Sequence, residues 1–133
     1  MEIYTLKITF AYGNKEYPWW RTIEVREDFT MHKLHNYIQK IIEFDNDHLY
    51  EFFAGKNPRN RIYEIPKRTK LNELFPMDGL NLYYLFDFGD NWLFKITKLK
   101  KTKILTNDSV VPLLVKSIGE NPEQYGDDEE WEE

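Results

Sequence analysis

Two carboxylates flank one turn in this chain: Asp87 and Asp90, inside Tyr84-Leu85-Phe86-Asp87-Phe88-Gly89-Asp90-Asn91-Trp92. Acids this close together suit a divalent cation. The imidazole of His48 and the carboxylate of Glu51, on another segment, are the further ligand types such an ion accepts. Gathered at one point, Asp87, Asp90 and His48 would support metal-dependent hydrolysis or nuclease chemistry. The competing reason for an acid in a turn is local, because Asp accepts hydrogen bonds from nearby backbone N–H groups. Arg21 is the other unusual residue. It shares strand parity with Ile23 and Val25, and an arginine on an apolar face must find a carboxylate or carry its head to the sheet edge. His32 and His35 stand three apart, the spacing of neighbours on a helix surface, which is either a metal pair or simply a polar helix face.

Several chemistries lack their residues. There is no cysteine, which excludes disulfides, thiolate catalysis and Cys-based zinc sites. No HExxH motif occurs, and the six glycines form no phosphate-cradling loop. No catalytic residue and no cofactor are assigned. Asp87, Asp90, His48, Glu51 and Arg21 stand as a candidate functional surface.

A chain of 133 residues fits one domain, and its 17% aromatic content predicts a core built of rings. Charged residues make up 31% and the mean hydropathy is −0.67. No apolar run approaches the roughly 20 residues of a spanning helix, so no membrane contact is expected. The N-terminus enters a strand-like alternation with no basic and apolar leader, which points to the cytoplasm. Eight of the 23 acids lie in Glu120–Glu133, a stretch without Lys or Arg, so residues 1–119 carry +3 against −5 for the whole. The division expected is a folded domain over 1–119 and an acidic, solvated tail over 120–133. That tail is able to fold over the basic body or dock on a partner.

The elements that must position the candidate residues follow from periodicity. Tyr4, Leu6, Ile8 and Phe10 alternate with polar residues, a half-buried strand over 3–10. A second strand over 19–26 follows the Tyr12-Gly13-Asn14-Lys15 turn. Thr30 caps a helix over 31–43 whose buried stripe is Met31, Leu34, Ile38, Ile41 and Ile42. Strands are read at 48–54 and 62–65, a helical turn at 71–75, and a final edge strand at 110–118. Six basic residues fall in the loops of 56–70. Leu82, Tyr84, Phe86 and Phe88 share one parity, and Trp92, Phe94 and Ile96 another. Only a loop of odd length brings both sets to one face. A three-residue Gly89-Asp90-Asn91 loop would pair Phe88 with Trp92, Phe86 with Phe94 and Tyr84 with Ile96, with Asn91 left-handed and Asp87 on the face away from the rings. The element order describes an α+β fold, a mostly antiparallel sheet with one main amphipathic helix across it, β-grasp-like in order.

Four segments, in order, resemble the root-inducing-plasmid ORF-three-like family, the insertion-element passenger proteins of "TnpR" type. They are Trp20-Arg21-Thr22-Ile23-Glu24-Val25, Leu34-His35-Asn36-Tyr37-Ile38-Gln39, Asp47-His48-Leu49-Tyr50-Glu51-Phe52 and Phe86-Asp87-Phe88-Gly89-Asp90-Asn91-Trp92. The resemblance spans residues 3–100, with a weaker echo in Gly119-Glu120-Asn121-Pro122. The chain departs from the family in having Phe44 near a usual Trp, and Asn-Pro-Glu-Gln-Tyr where many members have a Cys- and Gly-rich segment. The resemblance implies a compact α+β domain without an assigned reaction. Its "TnpR" label suggests a resolvase, but serine recombination needs a nucleophilic Ser within an arginine cluster. The only serines here are Ser109 and Ser117, with no such cluster around them. The expected function is a non-catalytic accessory or binding module whose partner is a protein or a nucleic acid, with self-association through a sheet edge as one mode. The alternative is a metal-dependent hydrolase or nuclease.

Overall fold

The computed structural model describes residues 1–12, 18–89 and 91–124. Along the chain run β1 (Glu2–Phe10), β2 (Trp20–Arg26), α1 (Met31–Ile42), β3 (Tyr50–Asn57), β4 (Asn60–Ile65), α2 (Leu71–Leu74), β5 (Asn81–Phe86), β6 (Trp92–Lys98), β7 (Lys103–Ile104) and β8 (Leu113–Ile118). The strands form one mostly antiparallel open sheet in the order β4-β3-β5-β6-β1-β2-β8, with β7 paired to β1. It is a single domain with few helices. The pairings of β1 with β2 and with β6 are both antiparallel, and no parallel pair joins the described strands. The β-grasp-like order is therefore not reproduced in the pairing.

One face of the sheet holds the core. Tyr4, Leu6 and Ile8 of β1, Ile23 and Val25 of β2, Phe52 of β3, Leu82, Tyr84 and Phe86 of β5, and Phe94 and Ile96 of β6 are buried there together. Alternation puts these residues on one side. Helix α1 covers them with Met31, Leu34, His35, Ile38, Gln39 and Ile42. Thr30 caps it as expected, its side chain accepting from the Lys33 backbone N–H. The helix ends one residue earlier than periodicity suggests, where Glu43 turns left-handed at φ 62° and its N–H closes on the last carbonyls.

The hairpin at Asp87–Asn91 keeps the expected parity and shifts the expected register. Phe86 pairs with Trp92, Tyr84 with Phe94 and Leu82 with Ile96, so five residues connect the strands instead of three. Asn91 is left-handed as predicted, at φ 57°, and so is Asp87, at φ 59°. The left-handed Asp87 ends β5 early. Its N–H donates to Leu49 O at 3.0 Å, and its carbonyl accepts from Asn91 N at 2.7 Å. A shift of two residues leaves every ring on its own face, which is why parity alone did not detect it. The consequence falls on Phe88, which leaves the ring cluster and is 48% exposed.

Beyond the strand pairing, one buried side chain ties the β2–β8 edge toward the end of α1. Arg21, 4% exposed, donates to the carbonyls of Trp20 (2.9 Å), Ile118 (2.8 Å) and Gly119 (2.8 Å), and to Asn121 Oδ1 at 2.6 Å. Its guanidinium lies 4.7 Å over the Trp19 ring. Asn121 in turn donates to Ile41 O at 3.0 Å, at the C-terminal end of α1. Gly119 makes this corner possible. Its φ is +83°, and a Cβ there would lie 2.4 Å from Pro18 O. We expect Gly119→Ala to cost about 2–3 kcal/mol, since it combines left-handed strain with a backbone clash. Gly79→Ala, with φ +88° and nothing within 4 Å, should cost about 1 kcal/mol. Urea unfolding midpoints of the two variants check the order, and equal losses would refute the packing argument.

Candidate functional site

The sequence-predicted residues fall in three places. His48, just before β3, and Asp87, just after β5, meet, with His48 Nε2 3.5 Å from Asp87 Oδ2 and 3.5 Å from Asp47 Oδ1. The Asp87 carboxylate turns toward His48, whose ring packs edge-on against Phe86 at 5.8 Å. It does not face away from the rings as the three-residue loop required. Asp87 Oδ1 also accepts from Gly89 N at 3.2 Å, the local turn bond anticipated for an Asp in this position. Asp90 lies outside the described residues. Glu51 points to the opposite sheet face and pairs with Arg61, whose guanidinium covers the Phe53 ring at 4.1 Å. Arg21 sits across the sheet at the β2–β8 corner. Among the described residues, no group of three or more His, Asp and Glu side chains is placed to hold a metal ion.

A second cluster lies under the helix, where the sequence suggested only a polar surface. His35 is 2% exposed, a correction to its reading as a surface partner of His32. Its Nε2–H donates to Asn46 Oδ1 at 2.6 Å, and its Nδ1 accepts from the Tyr84 hydroxyl at 2.5 Å. The Tyr84 hydroxyl oxygen accepts from Gln39 Nε2 at 2.9 Å, and Gln39 Oε1 accepts from Asn46 N at 3.1 Å. Asn46 Nδ2 donates to Asn36 Oδ1 at 3.1 Å, and Asn36 Nδ2 to His32 Nε2 at 3.3 Å. His32 Nδ1–H then donates to the Tyr50 hydroxyl at 2.7 Å. These donor and acceptor roles are the assignment that satisfies the whole network with neutral rings. The Tyr50 ring stacks on His35 at 3.5 Å and 4°.

A helical wheel had the signal for this cluster. Position 35 falls inside the arc of 31, 34, 38 and 42, and a histidine there has to be buried. Burial pushes the His35 pKa down to about 4, opposed in part by the Asn46 hydrogen bond. A proton on Nδ1 would also displace the Tyr84 hydroxyl hydrogen from its acceptor. Burial likewise raises the Tyr84 pKa well above its ordinary value.

The third cluster is on the uncovered sheet face. Both helices contribute their buried residues to the core on the other side. The register sets Lys116, Thr22, Lys7 and Thr97 in one row across β8, β2, β1 and β6. Ile118, Trp20, Thr9, Lys95, Tyr83 and Phe53 form the next row, which runs on through β5 and β3. Lys7 Nζ lies 4.8 Å over the Trp20 ring, and Phe53 stacks on Tyr83 at 5.2 Å. Among the described residues Lys7, Lys95 and Lys116 have no ion-pair partner, whereas Glu24 on the same face is neutralised by Lys103 at 2.6 Å.

An eight-stranded, mostly antiparallel open sheet with one long helix on one face and a polar network beneath it defines the class of this domain. Within that class the chain belongs to the plasmid pRiA4b ORF-3-like protein family, whose model matches residues 2–133. The crystal structure of a protein of unknown function, MM3350 from Methanosarcina mazei Go1, is similar, with 27% identity and a TM-score of 0.72. The match covers 87% of this chain and 69% of that one. No curated protein matches. No helix among the described residues is long and apolar enough to cross a membrane.

The His35 network makes stability depend on pH with a definite sign. The unfolded chain takes up a proton at His35 near pH 6.5, and the folded chain only near pH 4. Between those values the unfolded state holds more protons, so acidification favours unfolding. The contribution is intact above pH 6.5 and is lost progressively down to pH 4, by up to about 3 kcal/mol. Urea unfolding of the wild type and His35→Gln from pH 7 to 4 isolates this from the carboxylates, and the two stabilities should converge as the pH falls. A His35 Cε1–H resonance titrating near 6.5 in the folded protein would contradict it. Tyr84→Phe leaves Gln39 Nε2 and His35 Nδ1 without their partner, and should cost about 1–3 kcal/mol at pH 7 in the same assay.

Proposed function

We propose that this chain is a non-catalytic accessory module that binds the phosphate backbone of a nucleic acid on its uncovered sheet face. The observation that carries the reading is the trio Lys7, Lys95 and Lys116. Among the described residues these three cations have no ion-pair partner, and they lie on a face no described helix covers, Lys7 over the half-buried Trp20 ring. Strands lie about 4.8 Å apart, so Lys116 and Lys7 stand about 10 Å from one another across two strand spacings. Lys7 and Lys95 lie diagonally on adjacent strands. Side chains so placed contact phosphates and position a polyanion without reading its sequence. The threonine hydroxyls between them, Thr9, Thr22 and Thr97, add neutral donors to the same oxygens. A role in the cytoplasm as a passenger of a mobile element fits the plasmid in the family's description. A resolvase reading has no support in the residues, because Ser109 and Ser117 lack an arginine cluster.

The alternative, a metal-dependent hydrolase, has the His48–Asp87 contact in its favour. It is the weaker reading because one oxygen of Asp87 is already engaged by the Gly89 N–H.

Fluorescence anisotropy with labelled single- and double-stranded DNA and RNA tests the proposal. Binding should appear at about 50 mM salt and weaken steeply with added salt. Replacing Lys7, Lys95 and Lys116 together by Glu should abolish it and leave the urea midpoint within about 0.5 kcal/mol of the wild type. Replacing them by Ala should lower the salt slope by about 2–3. Absence of binding to every probe at low salt, or binding untouched by the triple variant, would overturn the reading.

A further inference from the structure

Two basic residues of 56–70, Lys67 and Arg68, border a second feature. A hollow of about 560 Å³ lies between the start of β3, the end of β4 and the β5–β6 loop. Two apolar side chains from separate elements line it while staying exposed, Leu49 at 71% and Phe88 at 48%. Burying residues of this kind is favourable, so their exposure at one concavity marks a docking surface. Lys67 Nζ sits 4.5 Å over the Tyr50 ring on the same wall, and Arg68 adjoins it. Neither cation has an ion-pair partner among the described residues. Of the acids at the hollow, Glu51 is neutralised by Arg61, which leaves Glu64 against two cations. The surface therefore asks for an occupant with an aromatic group set among negative charges.

Such an occupant lies on the same chain. Residues 127–133 read Asp-Asp-Glu-Glu-Trp-Glu-Glu. The last described residue, Gln124, is held on the segment that leads to Leu49, its Oε1 accepting from Asp45 N at 2.7 Å and its Nε2 donating to Asp47 Oδ1 at 3.0 Å. Asp47 is two residues from Leu49. Trp131 comes seven residues after Gln124, a reach of up to about 24 Å in extended chain. We propose that the hollow between Leu49 and Phe88 is the docking site of the chain's own C-terminal segment, with the Trp131 ring against Leu49 and Phe88 and the flanking acids on Lys67 and Arg68. The site is independent of the lysines of the uncovered face.

Fluorine NMR of the full chain labelled with 5-fluorotryptophan tests this. The four tryptophans give four resonances, and Trp131→Phe assigns the one of interest. The expected result is a Trp131 resonance displaced from its position in a synthetic peptide of residues 125–133, independent of protein concentration. In Phe88→Ala and in Lys67→Glu with Arg68→Glu it should return to the free-peptide position. The Trp19 and Trp92 resonances report in the same spectra that these variants remain folded. As a second measurement, Trp131→Ala should shift the backbone amides of Leu49 and Phe88, and this change in the tail leaves the fold untouched. A Trp131 resonance at the free-peptide position in the wild type would overturn the proposal. So would a displaced resonance that ignores the hollow variants, which places the docking elsewhere, or one that moves on dilution, which makes the occupant a second copy.

Discussion

The Tyr84 hydroxyl is the point on which the domain is assembled. It stands at the middle of β5, beneath α1, where an unpartnered hydroxyl would carry the full penalty of a buried polar group. Gln39 and His35, four residues apart on one helix face, both close on it. Dispersion between rings and aliphatic side chains tolerates sliding, but hydrogen bonds of this kind do not. The helix is thereby fixed in rotation and in translation over the sheet. Asn46 extends the tie from the helix to the segment that enters β3. The network is satisfied only with neutral rings, so the order under the helix is inseparable from the depressed basicity of His35.

The same arrangement makes the sheet two-sided. Every long helical residue available for burial is spent on one face, and α2 adds Leu71 to that face too. The other face is closed only by its own side chains: Arg61 over Phe53, Phe53 against Tyr83, Lys7 over Trp20. Long cationic side chains lying on rings shield apolar surface while keeping their charged ends in water. That covering is thin, and it leaves ammonium groups at a regular strand spacing. A charged, shallow surface results from having one main helix for eight strands.

Much of this was legible in the sequence because the signals are local. The alternation of Tyr4 to Phe10 marked β1, Thr30 marked the start of α1, and ring parity put Tyr84, Phe86, Phe94 and Ile96 on one face. What was not legible is non-local. No short-range pattern says that β1 lies between β2 and β6, or that β8 closes on β2. Arg21 illustrates the limit. Its parity put it on the apolar face, but among its acceptors are the carbonyls of Ile118 and Gly119, backbone groups with no residue-type signature. The hairpin register differs for a related reason, since sliding by two residues preserves the parity of the paired rings and is decided by Asp87 bonding to Leu49, the residue just before β3. His35 was different. Its position within the buried arc was visible, and attention to the neighbouring His32 obscured it.

Asp87 and the lysines differ in how far the fold itself engages their charge. A carboxylate that serves a metal must aim its lone pairs at an open point. Those of Asp87 are aimed at the Gly89 N–H and the His48 ring, while its backbone N–H and carbonyl join β3 to the hairpin. Its left-handed φ, which Asp tolerates better than most residues, belongs to the same junction. The fold accounts for this acid at each of its groups, despite its place in the most chemically suggestive stretch of the sequence. Lys7, Lys95 and Lys116 present the reverse. Lys7 shields the Trp20 ring, whereas register and turn chemistry require no cation at Lys95 or Lys116, and no described acid pairs with any of the three. Threonine, which fills the alternating positions of the same rows, would serve the sheet as well. Folding leaves these charges on an open face with no described acid beside them, and that is the observation on which the proposed polyanion contact rests.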